Sequence, residues 1–219
     1  MRVHPGPADM KSSQLLERYA DLAADADRAF RNAAERHPEA VRCGPGCADC
    51  CHAFFGLFLV EAVFIKEWFD DLPRKKRRAA LARGDRADRI YRKLASRALE
   101  NGVSREVSGE FLARERIRCP LLDDRLECIL YPHRPVTCRV YGIPTSIRGQ
   151  RRVCGKSGFH KVKDFPAFDL DRVHRDLFLL SRELLERAGR RDLDRASLLI
   201  SVSKAIRTPV GELISPPAP

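Results

Sequence analysis

No stretch of this sequence is long and apolar enough to span a bilayer. The richest run, residues 53 to 65, covers thirteen positions and is interrupted by Glu61, whereas a spanning helix needs roughly 20 apolar residues. It reads as a buried strand-plus-helix or a core helix. The N-terminus, Met1-Arg2-Val3-His4-Pro5-Gly6-Pro7, lacks the apolar core of a secretory signal, so the expectation is a cytoplasmic protein with no membrane span. Also missing are a glycine-rich phosphate loop, a nucleophile elbow, an HExxH pair and a dinucleotide fingerprint. A methyl donor would therefore have to be held by something other than a Rossmann-type pocket. No internal repeat is present. No aromatics interleave with the basic run Arg74-Lys75-Lys76-Arg77-Arg78, which removes the stacking platform that nucleic-acid binding would use.

What the sequence does have is cysteine. Eight occur in 219 residues. In a reducing compartment, cysteines at this density point to metal or redox chemistry rather than disulfides. A chain of this length also has core enough to need no staples. The formal charge is +11, counted with neutral thiols. Were all eight cysteines metal-bound thiolates, the protein part would fall to +3 before the metal is added. Much of the basicity then reads as counter-charge for a thiolate site. Nucleic acid is the less expected partner; an unidentified protein or a small substrate is left open.

Apolar positions at Leu15, Leu16, Tyr19, Leu22, Ala26, Phe30 and Ala33 predict a helix over residues 14 to about 36. A second helix is expected over 61–69. A third follows Pro73 and reaches about residue 100, where Asn101-Gly102 stops it. Shorter helices are expected over 110–118, 169–188 and 192–206, with β-like runs over 126–130 and 136–141. The fold class is mainly α: helices around two cysteine-bearing loop regions, with at most a small β-hairpin. The division expected is an N-terminal helical segment (1–40), a cysteine-cluster domain (41–157, with a helical insert at 61–118), a C-terminal helical segment (158–210) and a disordered tail (211–219).

The first cysteine group reads Cys43-Gly44-Pro45-Gly46-Cys47-Ala48-Asp49-Cys50-Cys51. Its glycines and proline let the backbone turn tightly enough for sulfurs to converge. Adjacent cysteines normally point apart, so Cys50 and Cys51 are expected to serve two sites, or one to bind while the other packs or stands by. The second group, Cys119, Cys128, Cys138 and Cys154, is spread out. Four plus four suits two tetrahedral zinc sites, two cubane clusters, or one cluster with four further cysteines. The spacing matches neither a ferredoxin run nor a pair of zinc knuckles.

Cys43 to Cys51, followed by Cys119-Pro120-Leu121-Leu122, Cys128-Ile129-Leu130-Tyr131 and Arg134-Pro135-Val136-Thr137-Cys138-Arg139, resembles the cysteine-cluster family described as zinc- or iron-chelating. Some of its members are labelled Fe–S oxidoreductases and others are likened to flagellin lysine N-methylases. The resemblance spans roughly residues 43 to 155. It implies Cys43, Cys47, Cys50, Cys51, Cys119, Cys128, Cys138 and Cys154 as metal ligands, with a 4Fe–4S iron–sulfur cluster or zinc as cofactor. Where the family usually has a glycine turn, Asp123-Asp124-Arg125-Leu126 stands, from which a milder turn is expected.

Arg134 and Arg139 flank Cys138, and Arg148, Arg151 and Arg152 precede Cys154. Cations beside sulfur favour the thiolate and can hold an anion, which makes Arg134 and Arg139 candidate cofactor-binding residues. Pairing with Asp123, Asp124 or Glu127 to pin a loop is the structural alternative. His52 and His133 are candidate ligands or proton shuttles. Tyr131 and Tyr141 read as packing or hydrogen-bonding residues. Three functions fit: a redox or radical and methyl-transfer type protein with an iron–sulfur cluster, a zinc-organised interaction module, and a metal carrier or sensor. No residue is assigned a catalytic role.

Overall fold

The computed structural model describes residues 14–100, 115–162 and 164–216. Helix α1 spans Gln14–Arg36 and buries Leu15, Leu16, Tyr19, Ala23, Ala26 and Ala33, the predicted face. Helix α2, Leu59–Asp70, is enclosed on almost every side. Pro73 precedes α3, Arg74–Glu100. The short α4 covers Val136–Val140, α5 covers Leu170–Arg187, α6 covers Val202–Arg207 and α7 covers Val210–Ile214. One small sheet has the order β2-β1-β3. Strands β1 (Thr145–Ile147) and β2 (Gln150–Arg152) form a hairpin, and β3 (Phe168–Asp169) lies parallel to β1. The architecture is mainly α with one small β element, as expected.

Helix α2 is the hub, packed by α1, α5, α6 and α7. The main core runs through Tyr19, Leu59, Val63, Ile65, Phe69, Leu177 and Leu185, all nearly inaccessible. The run at residues 53–65 is therefore core. Its first part is extended, with Leu57 bridged to Ile200, and its second part is helix.

Glu61, the charge that interrupts this run, is buried and accepts two backbone hydrogen bonds. One comes from Phe58 N–H at the start of α2 (3.2 Å) and the other from Val136 N–H at the start of α4 (3.1 Å). A single carboxylate thus satisfies orphan amides at two helix starts. Ser181 of α5 accepts from Val60 N–H in the same turn (3.1 Å).

Several expected elements differ. The run expected to be β-like over 136–141 is instead helix over Val136–Val140 followed by a turn at Tyr141, because Pro135 precedes α4 and Glu61 caps its first amide. The 192–206 helix is split into a 3-10 turn at Leu193–Ser197, an extended piece whose Ile200 pairs with Leu57, and α6. The 211–219 tail is not uniformly irregular: Leu213 and Ile214 are buried on α7, and apolar burial holds that segment in place. The last positions of that tail, 217–219, lie outside the described residues, as does most of the helix expected over 110–118. The hairpin tip takes left-handed backbone at Arg148 (φ 53) and Gly149 (φ 70), the two-residue turn that matches strand twist.

Burial pushes the Glu61 carboxyl up from its ordinary 4.5 to about 7, while the two amides and Arg139 pull the other way. The unfolded chain therefore releases this proton first as pH rises. The stability contributed by Glu61 is fully present below about pH 4.5 and declines toward pH 7. Glu61→Ala is expected to lose about 2–4 kcal/mol by leaving two buried amides unpaired. In urea titrations between pH 4.5 and 7, its pH slope should be shallower than that of the unaltered protein. An identical slope in both would assign the effect to another group.

Candidate metal centre

The first cysteine loop turns at Gly46, whose φ of 81 is left-handed, and Cys47 N–H donates to Gly44 O (3.0 Å). It ends in a 3-10 turn, Cys50–His52. That geometry rotates successive side chains by about 120°, yet the Cys50 and Cys51 thiols still lie within reach of each other. The carbonyl of Cys51 accepts from Cys119 N–H (2.7 Å), and Ala53 bridges Arg116. These bonds lay the second cysteine region against the first.

From Cys119 the chain reverses. Leu122 bridges Cys128, and Ile129 N–H donates to Leu121 O (2.9 Å). The expected milder turn is not what forms, because Leu126 adopts left-handed backbone (φ 62), the conformation that favours glycine. The Asp123 carboxylate holds it by accepting from Arg125 N–H (2.9 Å) and Glu127 N–H (3.0 Å). Helix α4 then delivers Cys138.

An inner group of thiols meets around Leu122 and Ala48, both buried. The Cys50 thiol lies within hydrogen-bonding reach of Cys138 and Cys51, and Cys51 within reach of Cys128. Cys119 feels Cys128 and Cys50. Hydrogen bonds from Cys138 and then Cys51 hold the Cys50 thiol well below its ordinary value, with the Arg134 cation assisting. Cys138 is pushed up, first by its role as donor to Cys50 and then by burial. Burial, followed by the nearby Cys128, pushes Cys119 up to about 12.

An outer group comprises Cys43, Cys47 and Cys154. Cys43 is within hydrogen-bonding reach of Cys47 and feels Cys154 and Cys50. Burial of its sulfur, then these neighbours, raises it to about 12. The sulfur rests over Gly142: a Cβ there would stand 2.2 Å from Cys43 Sγ and 3.3 Å from the Phe30 ring. Cys154 Sγ donates to Asp49 Oδ2 (3.3 Å). Arg116 donates to Asp49 Oδ1 (2.7 Å), and Lys156 Nζ lies 3.7 Å from the same oxygen. Burial works against the Asp49 charge, but these donors hold its carboxyl below the usual range. Tyr141 is in hydrogen-bonding reach of Arg116.

Of the arginines of the second region, Arg134 lies near enough to the inner group to act on Cys50 and Cys128. Arg139 is buried on α4 and donates to Arg134 O (2.8 Å), Pro132 O (2.7 Å) and the Asp27 carboxylate of α1. Its ion-pair partner is thus Asp27, not Asp123, Asp124 or Glu127. Arg134 stacks on Tyr131, 3.7 Å from the ring centroid, and donates to Tyr131 O (3.0 Å). Arg148 and Arg151 sit on the hairpin; the Arg148 amide donates to Asp171 (2.6 Å). His52 Nδ1 is 2.9 Å from Ala48 O. The His133 ring stacks on Trp68 at 3.7 Å. The fully buried Tyr19 hydroxyl makes no hydrogen bond among the described residues, and it lies in the field of Glu61, Arg139 and Cys138.

Sequence reasoning passed over Asp49, Arg116, Asp27, Gly142 and the capping role of Glu61. Asp49 carried a signal, being enclosed by the first cysteine motif. So did Glu61, a carboxylate in the most apolar stretch. Gly142 and Asp27 carried none, since only the fold brings them to Cys43 and Arg139.

A family model named CxxCxxCC, described as "Putative zinc- or iron-chelating domain", matches residues 42–155, just over half of the chain. The chain belongs to the CxxCxxCC family. No curated protein and no solved structure matches it. The matched region contains all eight thiols, and their chemistry fits the family's metals: thiolate sulfur suits zinc and iron alike. Among the described residues no group of three or more His, Cys, Asp or Glu side chains is placed to hold an ion as the chain stands. The thiols instead neighbour one another in pairs, Cys50 with Cys138 and Cys51 with Cys128, and a cation replaces protons when thiolates bind it.

The space at Gly142 is specific to this arrangement. Gly142→Ala is expected to displace Cys43 and to cost about 1–3 kcal/mol through overpacking. Alkylation of the protein in its metal-free form, followed by peptide mapping, should show faster labelling of Cys43 with Cys119 unchanged. Equal labelling of Cys43 in both proteins would mean the sulfur does not rest there.

Proposed function

We propose that this CxxCxxCC protein holds a resident zinc or iron ion on Cys51, Cys119, Cys128 and Cys138, and that the ion locks its two cysteine regions together. The observation that carries the reading is the meeting of sulfurs from distant parts of the chain beside the buried Ala48 and Leu122. One tetrahedral ion would draw these neighbouring sulfurs together, since metal–sulfur bonds of about 2.3 Å place the sulfurs about 3.8 Å apart. Such a site gives a metal-organised module, with the helices outside it as the surface for a protein partner or small substrate.

An iron–sulfur cluster serving redox or radical and methyl-transfer chemistry is the second reading. Cys50 favours it, as a fifth sulfur beside the inner four, and so does the cation of Arg134 near these thiols. A cluster there would supply one-electron chemistry. The chain's own contribution would be the thiolates, the apolar cover of Leu122, and the Arg139 bonds that fix the Cys138 helix.

Elemental analysis with a visible spectrum, on protein purified without oxygen, separates the two. One or two zinc or iron ions per chain without acid-labile sulfide is the expected result. Iron and sulfide near four per chain (the cubane count) would put the second reading first, and protein that binds no metal would overturn both. Cys128→Ser is expected to lose the inner ion and to lower the unfolding midpoint sharply. Metal should also leave on acidification, since every sulfur must be deprotonated to bind.

A further inference from the structure

We infer that the solvent face of α3 is a docking surface for the phosphate backbone of a single-stranded nucleic acid, held by a stripe of six cations: Lys75, Arg78, Arg86, Arg89, Lys93 and Arg97. This goes beyond the chelation reading and is independent of whether metal is bound.

Helix α3 carries eleven Lys and Arg residues against three acids, Asp85, Asp88 and Glu100. That excess of eight is most of the formal +11 of the whole chain. The six cations follow one another at steps of three, eight, three, four and four residues, with exposed Ala82 midway in the long step. At 3.6 residues per turn these steps keep all six within an arc of about 100°. All six are exposed. The opposite side of the helix is the packed one. Ala80, Arg83, Gly84 and Ala87 are buried there, with Arg83 donating to Pro120 O and Gly84 facing Ser203 of α6.

The stripe is not neutralised from within. None of the six makes an ion pair among the described residues. Asp85 and Asp88, on the flank, are both held by Arg207 of α6. Glu100 is the one acid of α3 on the arc, and it lies past the last cation. Like charges three and four residues apart destabilise a helix, and a bound polyanion relieves that repulsion. Counter-charge for thiolates does not account for these residues, since the cations beside the thiols and Asp49 are Arg134, Arg116 and Lys156. The stripe begins at an open recess of about 360 Å³ lined by Arg74, Lys75 and Arg78. There the partial positive charge of the helix start adds to the three cations.

Shape and composition select among polyanions. From Lys75 to Arg97 the stripe is straight and about 33 Å long. A flexible strand can lay successive phosphates along it, whereas the backbone of a duplex winds once around in about 34 Å. An anionic membrane would also want apolar side chains to insert. The arc offers Ala79 and Ala82, with Ile90 at its edge, while Tyr91 turns away to stack on Phe54. The most exposed leucines, Leu179, Leu198 and Leu199, lie on other elements. Without aromatics the surface cannot stack bases. Phosphate contacts need none, so the docking is blind to sequence.

The test titrates the full chain into a labelled oligodeoxythymidine strand and follows anisotropy across a salt series. Log affinity is expected to fall against log salt with a slope of about −4, six phosphates at about 0.7 each. Arg89→Gln with Lys93→Gln should weaken binding about tenfold at low salt and make the slope shallower by about 1.4. Arg175→Gln with Arg191→Gln removes the same charge from exposed positions on other elements and should change affinity less than about twofold. Glutamine keeps helix propensity, and unchanged unfolding midpoints confirm that both variants fold. Equal loss in the two double variants would assign binding to net charge, and no loss in the first would remove α3 from it; either overturns the proposal. So would tighter binding to a duplex of the same length, or binding to phosphatidylserine vesicles but to no oligonucleotide. Metal content measured on the same samples reports on chelation separately.

Discussion

The guanidinium of Arg139 is the contact on which the rest depends. It is buried, and it bonds to two carbonyls of the segment leading into α4 and to the Asp27 carboxylate on α1. A charge removed from water is costly unless its donors are satisfied. Here three acceptors from two separate parts of the chain do so, and together they fix the helix that carries Cys138. Glu61 completes the anchoring from the other side by tying the first amide of α4 to the hub helix α2. The position of one sulfur is thus set by groups more than a hundred residues apart in sequence.

This anchoring bears on the charge balance. The net +11 belongs to a chain whose thiols are counted as neutral. Arg134 lies near the inner sulfurs, and Arg116 and Lys156 surround Asp49 beside the outer ones. Part of the positive excess is therefore placed where thiolate charge develops when metal displaces protons. The arginines act less by touching an ion than by holding backbone and carboxylate in place around it.

Some of this was legible from residue order. The period of apolar positions placed α1 at its observed bounds, and Pro73 marked the start of α3. The cysteine motifs identified the family and the chelating region. Residues 136–141 were misread because their β-like composition was outweighed by a cap supplied from α2. The turn at 123–127 was misread for the opposite reason. Local chemistry, the Asp123 carboxylate and a left-handed Leu126, restored what a glycine would have given. Gly142 had no readable signal at all, because its meaning is the sulfur that lies against it.

The sequence by itself determined that this protein is helical and that it carries a cysteine-cluster chelating region, since apolar period and cysteine spacing are local properties of the chain. Only the tertiary structure decided which sulfurs meet. Cys51 was drawn to Cys119 by a backbone bond, and Cys154 to Asp49 by a bond between side chains, each joining segments distant in sequence. Spacing along a chain limits how closely neighbours can converge. It says nothing about which remote segments a buried arginine and a buried carboxylate will bring together.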